Sequence, residues 1–218
     1  MAIEATGARR LIADQAYFAL RDLIVTLQLP PGAPVREDEL MEQLGIGRTP
    51  LREAVKRLEL ENLVTVQPRR GTRVTEVDIA HIVHITEVRA DLEGYAAELA
   101  ALRLDDDDRA RAEAMIAELE SLGADPEGLM RRDEDVHRLI WEAAGNPYLF
   151  DTLERFFALS LRIWYLVLDR VPGLGAAVHD QRILLEAVLA RDGARARATM
   201  RDHVLAFQRE ILVAFSRG

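Results

Sequence analysis

Two short amphipathic segments separated only by Gly45-Ile46-Gly47 constrain this chain more than any other feature. The first opens on Glu37-Asp38-Glu39, three acids suited to the positive end of a helix dipole, and turns Leu40 and Leu44 inward. Gly45 follows its last apolar residue, where a left-handed C-cap costs least. The second begins at Gly47-Arg48-Thr49-Pro50, and its proline is tolerated because first-turn amides lack intrahelical partners. Its inner face is Leu51, Val55 and Leu58. Helices this short, joined by so tight a turn, predict a helix-turn-helix. A longer amphipathic helix over 9–28 precedes it, closed by Leu29-Pro30-Pro31-Gly32. After it, Leu63-Val64-Thr65-Val66 and Thr72-Arg73-Val74-Thr75 flank Pro68-Arg69-Arg70-Gly71, the pattern of a hairpin and hence of a wing.

A net charge of -9 argues against nucleic acid until it is divided along the chain. Residues 1–77 hold 11 basic and 11 acidic residues, whereas 78–218 hold 17 and 26. Within the neutral part, residues 48–73 carry seven basic residues against Glu53, Glu59 and Glu61. Phosphates respond to the local field, over roughly 8–10 Å, so one face of the first domain can bind DNA. Arg48, Thr49 and Arg52 start the helix that would meet base edges, and arginine grips guanine O6 and N7 in a bidentate manner. Lys56 and Arg57, one turn on, would touch phosphates or stay solvated. Arg69, Arg70, Gly71 and Arg73 are the wing's candidate contacts to backbone or minor groove. Each arginine alone would also suit an ordinary charged helix or hairpin. Their ordered set favours DNA.

The remaining residues, 78–218, form a second domain of about six helices: 78–102, 105–121, 126–144, 147–169, 175–191 and 193–216. Strand signals are absent, so the expected fold is mainly α, a winged helix-turn-helix followed by an all-α bundle. The Asp105–Asp108 run reads as helix N-terminal charge. No cysteine is present, which excludes disulfides, thiolate zinc sites and cysteine nucleophiles. Neither a signal-peptide core nor an uncharged apolar run long enough to span a bilayer occurs, so a cytoplasmic protein without membrane attachment is expected.

Polar residues interrupting the bundle's apolar stripes are the informative ones. The first stripe runs Ile82, Ile85, Arg89, Leu92, Ala96, Leu99. A buried arginine needs an anionic partner: Glu93, one turn away, or a carboxylate or phosphate ligand matched to the guanidinium fork. Another stripe runs Leu129, Asp133, Val136/His137, Ile140, Ala144, and the last runs Ala196, Met200, His203, Phe207, Ile211, Ala214. His179 opens the fifth bundle helix. Each histidine alone can be a hydrogen-bonded core residue. One divalent cation shared by Asp133, His137, His179 and His203 would satisfy all four, with positions left open on a six-coordinate ion.

The stretch Leu29-Pro-Pro-Gly … Gly-Ile-Gly-Arg-Thr-Pro-Leu-Arg-Glu-Ala-Val … Gly71-Thr72-Arg73-Val74 resembles the GntR-type winged helix-turn-helix. That resemblance implies base contacts at Arg48 and Arg52, with Thr49 also at the interface. Gly47 departs from the usual serine or threonine cap, and Asp38 stands where some members place an arginine contact. Arg89 … Glu93, Asp133-x-x-x-His137, Ala144-Gly145-Asn146-Pro147-Tyr148-Leu149, His179 … Asp192 and Met200-x-x-His203 resemble the FCD effector domain of the FadR-like branch, in its smaller VanR-like form. The resemblance implies Zn or Ni at Asp133, His137, His179 and His203, a small organic acid beside the metal, and Arg89 lining that pocket.

The expected function is a homodimeric, ligand-responsive transcription regulator on a palindromic DNA operator, repressing a catabolic operon until a small carboxylate effector releases it. A metal-dependent helical hydrolase with a DNA-binding tether and a regulator sensing the metal itself are the alternatives. Arg162, Trp164 and Arg182 are candidates for the pocket without an assigned role.

Overall fold

A computed structural model describes the backbone of residues 2–121, 126–167 and 174–216, and the side chains of 11–119, 128–167 and 180–216. The chain divides into two compact units, Met1–Asp78 and Ile79–Gly218.

In the first unit, α1 (Ala2–Val25) starts earlier than the apolar periodicity indicates and stops sooner. Ala2, Ala5 and Ala8 favour helix without adding to an apolar stripe. The stop lies upstream of the prolines, where Leu27 takes a left-handed φ of 62° and the Leu29 N–H returns to the Leu23 carbonyl. Leu11 and Ile12, two of the apolar residues that make up its helical spacing, remain exposed. The helix-turn-helix is α2 (Glu37–Leu44) and α3 (Arg48–Leu60). Gly45 caps α2 at φ 64°, as its position predicts. Leu51, Val55 and Leu58 of α3 are buried, as are Ala16, Tyr17, Leu20 and Ile24 of α1, and the two helices pack together. This contact fixes how α3 projects.

Gly47 caps α3 with extended backbone and no side-chain hydrogen bond, and a Cβ there would meet only Pro50 Cδ, at 3.8 Å. Gly47→Ser should therefore stabilise the first unit by a few tenths of a kcal/mol, roughly, by accepting from a first-turn amide. A small rise in melting temperature would register it, and a fall would show that the cap is not formed.

The wing is β1 (Val64–Gln67) against β2 (Gly71–Val74), antiparallel, with Val64 opposite Val74 and Gln67 opposite Gly71. Its strands sit one residue closer to the tip than expected. The three-residue connection explains this, because Arg69 and Gly71 adopt φ of 64° and 81° and the Arg70 N–H closes onto the Gln67 carbonyl. Residues 32–35 flank β2 through Gly32 N–H to Val74 O and Val35 N–H to Thr72 O.

The second unit comprises α4 (Ala80–Arg103), α5 (Asp106–Ser121), α6 (Pro126–Ala143), α7 (Pro147–Tyr165), α8 (Leu174–Leu189) and α9 (Gly193–Ser216), with no strand among the described residues. Its breaks have local causes. Asn146 Oδ1 accepts from the Tyr148 and Leu149 amides with Pro147 in the first turn, and Asp105 Oδ1 accepts from the Asp108 amide ahead of α5. Helix α4 is central and packs most extensively on α9, with α6, α7 and α8 around it. The buried small residues Ala90, Gly94, Ala97 and Ala101 permit this approach. A Cβ on Gly94 would lie 2.8 Å from Arg201 Cγ and 3.2 Å from the Arg197 carbonyl.

The inward face of α4 differs from the expected one. Thr86 and Glu93 are buried, whereas Ile85 and Leu92 are only half-buried. Arg89 sets the register: its buried guanidinium requires Glu93 inward, and that turns Leu92 partly outward.

Candidate metal centre and nucleic-acid interface

Polar side chains from four helices meet inside the second unit. Helix α6 contributes Asp133 and His137, one turn apart, α9 contributes His203, α8 contributes Gln181, and α4 contributes Arg89 and Glu93. All six are buried, Glu93 completely. His203 Nε2 lies 3.1 Å from Asp133 Oδ1, and His137 Nε2 lies 3.7 Å from Asp133 Oδ2. One ligand atom from each of Asp133, His137 and His203 falls within 4.8 Å of the others.

Glu93 organises this cluster from behind. Its Oε1 accepts from Arg89 Nε at 2.7 Å and pairs with Arg89 Nη2 at 2.6 Å, while its Oε2 takes His137 Nδ1. Burial alone would push the Glu93 carboxyl up, yet Arg89 and His137 overcome it and hold it at about 2. An ionised carboxylate only accepts, so His137 carries its proton on Nδ1. Its Nε2 is then the ring atom turned toward Asp133. Burial likewise pushes Asp133 up, against His137 and His203 and the Gln181 amide donating to Oδ1, which together hold it well below the usual carboxylate range. For His203, burial favours the neutral ring. The bond to Asp133 and the charges of Asp133, Glu93 and Asp180 prevail and raise its pKa.

Two imidazoles and a carboxylate form a donor set suited to Zn or Ni. His137 held by a carboxylate through its second nitrogen is the support a metal-bound histidine needs. Gln181 Oε1 fits the same reading. It is buried and has no hydrogen-bond partner among the described residues, with the amide nitrogen turned to Asp133, so an occupant of the site could meet it.

Of the residues singled out from sequence, Asp133, His137 and His203 come together. His179 lies in α8, but its side chain falls outside the described residues. Arg89 takes the neighbouring-carboxylate option, with its guanidinium 4.8 Å from the Phe157 ring and 5.9 Å from that of Phe207. Trp164 is buried and stacks on Phe207 at 4.5 Å, and Arg162 is also buried. Arg182 is exposed and paired with Glu186, outside this cluster. Sequence reasoning missed Gln181 and the second partner of Glu93. Gln181 was readable, since it extends the buried positions Leu184, Leu185 and Val188 by a helical turn.

On the first unit, Arg48, Thr49 and Arg52 are exposed at the start of α3. Arg48 Nη2 donates to Asp38 Oδ1 at 3.2 Å and Arg52 Nε donates to Glu37 Oε2 at 3.1 Å. Lys56 is exposed. Arg57 is partly exposed but already engaged: it stacks 3.6 Å over Tyr17 and pairs with Asp14 and Glu61. The cause is Tyr17, a flat buried ring on α1 that a guanidinium covers while its charge meets two acids. Arg69, Arg70 and Gly71 are exposed at the wing tip, and Arg73 Nη1 donates to the Gly32 carbonyl at 2.6 Å.

Residues 12–74 match the bacterial regulatory proteins of the gntR family, and residues 84–206 match the FCD domain. The HTH-type transcriptional repressor GlaR of Escherichia coli (strain K12) is 33% identical over 200 residues, 87% of this chain and 90% of that protein. A probable D-xylose utilization operon transcriptional repressor of Paenarthrobacter nicotinovorans is 30% identical over 92% of this chain and 90% of its own length. Among solved structures, E. coli McbR/YncC shares the fold with a TM-score of 0.79 at 23% identity, covering 94% of this chain and 98% of its own. The metal-free FCD domain of TM0439 aligns with a TM-score of 0.53 at 19% identity, covering 65% of this chain and 99% of its own.

Proposed function

The chain belongs to the gntR family of bacterial regulatory proteins and carries an FCD domain, which makes it a ligand-responsive, DNA-binding transcription regulator, and we propose that it represses a catabolic operon until a small organic acid releases it. The buried constellation of Asp133, His137 and His203 carries this reading. With His179, these residues would hold a divalent ion, Zn or Ni. The ion would supply a Lewis-acidic anchor for the carboxylate of the effector. Arg89, paired with Glu93 and lying against the Phe157 ring, would line the effector pocket beside the ion. Two of the similar proteins named above, at 33% and 30% identity, are called repressors, which supports the sign of regulation. Membership in a family of transcription regulators speaks against the hydrolase alternative.

At the DNA, Arg48, Thr49 and Arg52 would read base edges in the major groove, and Arg69, Arg70, Gly71 and Arg73 would bring the wing to the backbone. A homodimer would present two such units to the halves of a palindrome. No described helix is long and apolar enough to cross a membrane, and the protein is taken to act in the cytoplasm. Effector binding needs to shift the DNA equilibrium by only about 1–3 kcal/mol to change occupancy usefully.

A thermal-shift screen of small carboxylates on metal-loaded protein tests the proposal. Acids that raise the melting temperature should also release the protein from DNA, and both effects should vanish with Asp133→Asn. Metal that alters DNA binding by itself, with every acid silent, would instead establish the metal as the signal.

A further inference from the structure

The recognition helix begins with its two leading arginines already engaged, each by a carboxylate on the neighbouring helix. We infer that Glu37 and Asp38 are positioning residues for DNA readout, holding Arg52 and Arg48 for base edges and disfavouring their transfer to phosphates. This rests on the reading of Arg48 and Arg52 as base contacts.

Guanidinium geometry supports it. Arg52 uses Nε for Glu37, which leaves the Nη1/Nη2 end unengaged, and that edge can grip guanine O6 and N7. Arg48 uses one Nη2 hydrogen for Asp38 and keeps the other, which shares a guanidinium edge with Nη1 or with Nε, for a base. Both pairs bridge α2 to α3, so they fix the side chains relative to the unit and not merely along one helix. Because all four groups are at least partly exposed, the pairs are weak enough for DNA to rearrange.

The carboxylates act differently on the two binding modes. In base readout each arginine can keep its acid while its other edge meets guanine. In non-specific binding the arginine turns to a phosphate and strands a carboxylate within a Debye length of the anionic backbone. The acids thus lower affinity for random DNA more than for the cognate sequence, and discrimination rises.

Glu37 and Asp38 also suit the positive end of the α2 dipole, and so does Glu39. Glu39 pairs instead with Arg36, at 2.8 Å, and touches neither recognition arginine. It provides the control, carrying the same charge in the same turn.

Full-length protein would first select bound sequences from a randomised duplex library. Affinities for a selected duplex and for its scrambled version would then be measured by fluorescence anisotropy at fixed salt. Glu37→Gln and Asp38→Asn should each tighten binding to scrambled DNA by about fivefold and lower the selected-to-scrambled ratio by a similar factor. Glu39→Gln should leave that ratio within about twofold. If Glu37→Gln and Asp38→Asn merely match Glu39→Gln, the inference is overturned. Arg52→Ala separates a failure of the positioning role from a failure of base reading. An unchanged selected sequence in that variant would remove base reading by Arg52, and the role of Glu37 with it. A changed sequence would uphold base reading, so that a failure of the acidic variants would then count against Glu37 and Asp38 alone.

Discussion

Glu93→Ala should cost the helical unit about 3–5 kcal/mol, read as a lowered urea midpoint in chelator-treated protein. Glu93 is completely buried and serves two cations or potential cations, Arg89 and His137. Removing it leaves the Arg89 guanidinium buried with, among the described residues, the Phe157 and Phe207 rings to offset its charge. Replacing both partners by apolar residues of similar size, Arg89→Met with Glu93→Leu, should recover much of the loss, because no buried charge is then stranded. A single variant that loses less than about 1 kcal/mol would mean that the pair is not buried as described. The pair also sets an acid limit. The Glu93 carboxyl is held at about 2, below its ordinary value near 4.5, so its contribution is complete above that ordinary value. It is lost as pH falls from about 4.5 toward 2. Glu93→Gln should therefore make this stretch of the acid unfolding curve shallower.

Much of this architecture was legible because local chemistry and global packing agree. Gly45, Gly47-Arg48-Thr49-Pro50 and the Gly145-Asn146-Pro147 break announce helix ends by backbone conformation and capping, which act within a few residues and so are written locally. Asp133 and His137, four apart on one stripe, could be placed on a common face for the same reason. What stayed hidden depends on contacts between distant segments. Arg57 lies on an outward-looking position of α3 and acquires its structural role from Tyr17 and Asp14, about forty residues away in sequence. Glu93 looked like a partner for Arg89 alone, since its second contact, to His137, joins α4 to α6. The rotated face of α4 follows from the same pairing: a buried ion pair outranked the burial of Leu92, which no hydrophobic pattern can announce.

His203→Ala should abolish stoichiometric metal, measured by elemental analysis after dialysis against limiting Zn or Ni, and Asp133→Asn should do nearly the same. Each removes one of three ligand atoms that already lie within 4.8 Å of one another. Glu93→Gln should act more gently, lowering metal affinity about 10–100-fold, since it loosens His137 without deleting a ligand. Protons must report the same event. Without metal, Asp133 and its neighbouring acids raise the His203 pKa above the ordinary histidine value, so the ring holds its proton to higher pH than a free histidine, and coordination must expel it. Metal affinity should therefore rise with pH by about tenfold per unit for each displaced proton and level off above the raised pKa. Calorimetric titrations in two buffers of different ionisation enthalpy would count that proton directly. Wild-type and His203→Ala proteins with equal metal content and equal proton release would take His203 out of the site and leave its burial beside Asp133 a matter of packing alone.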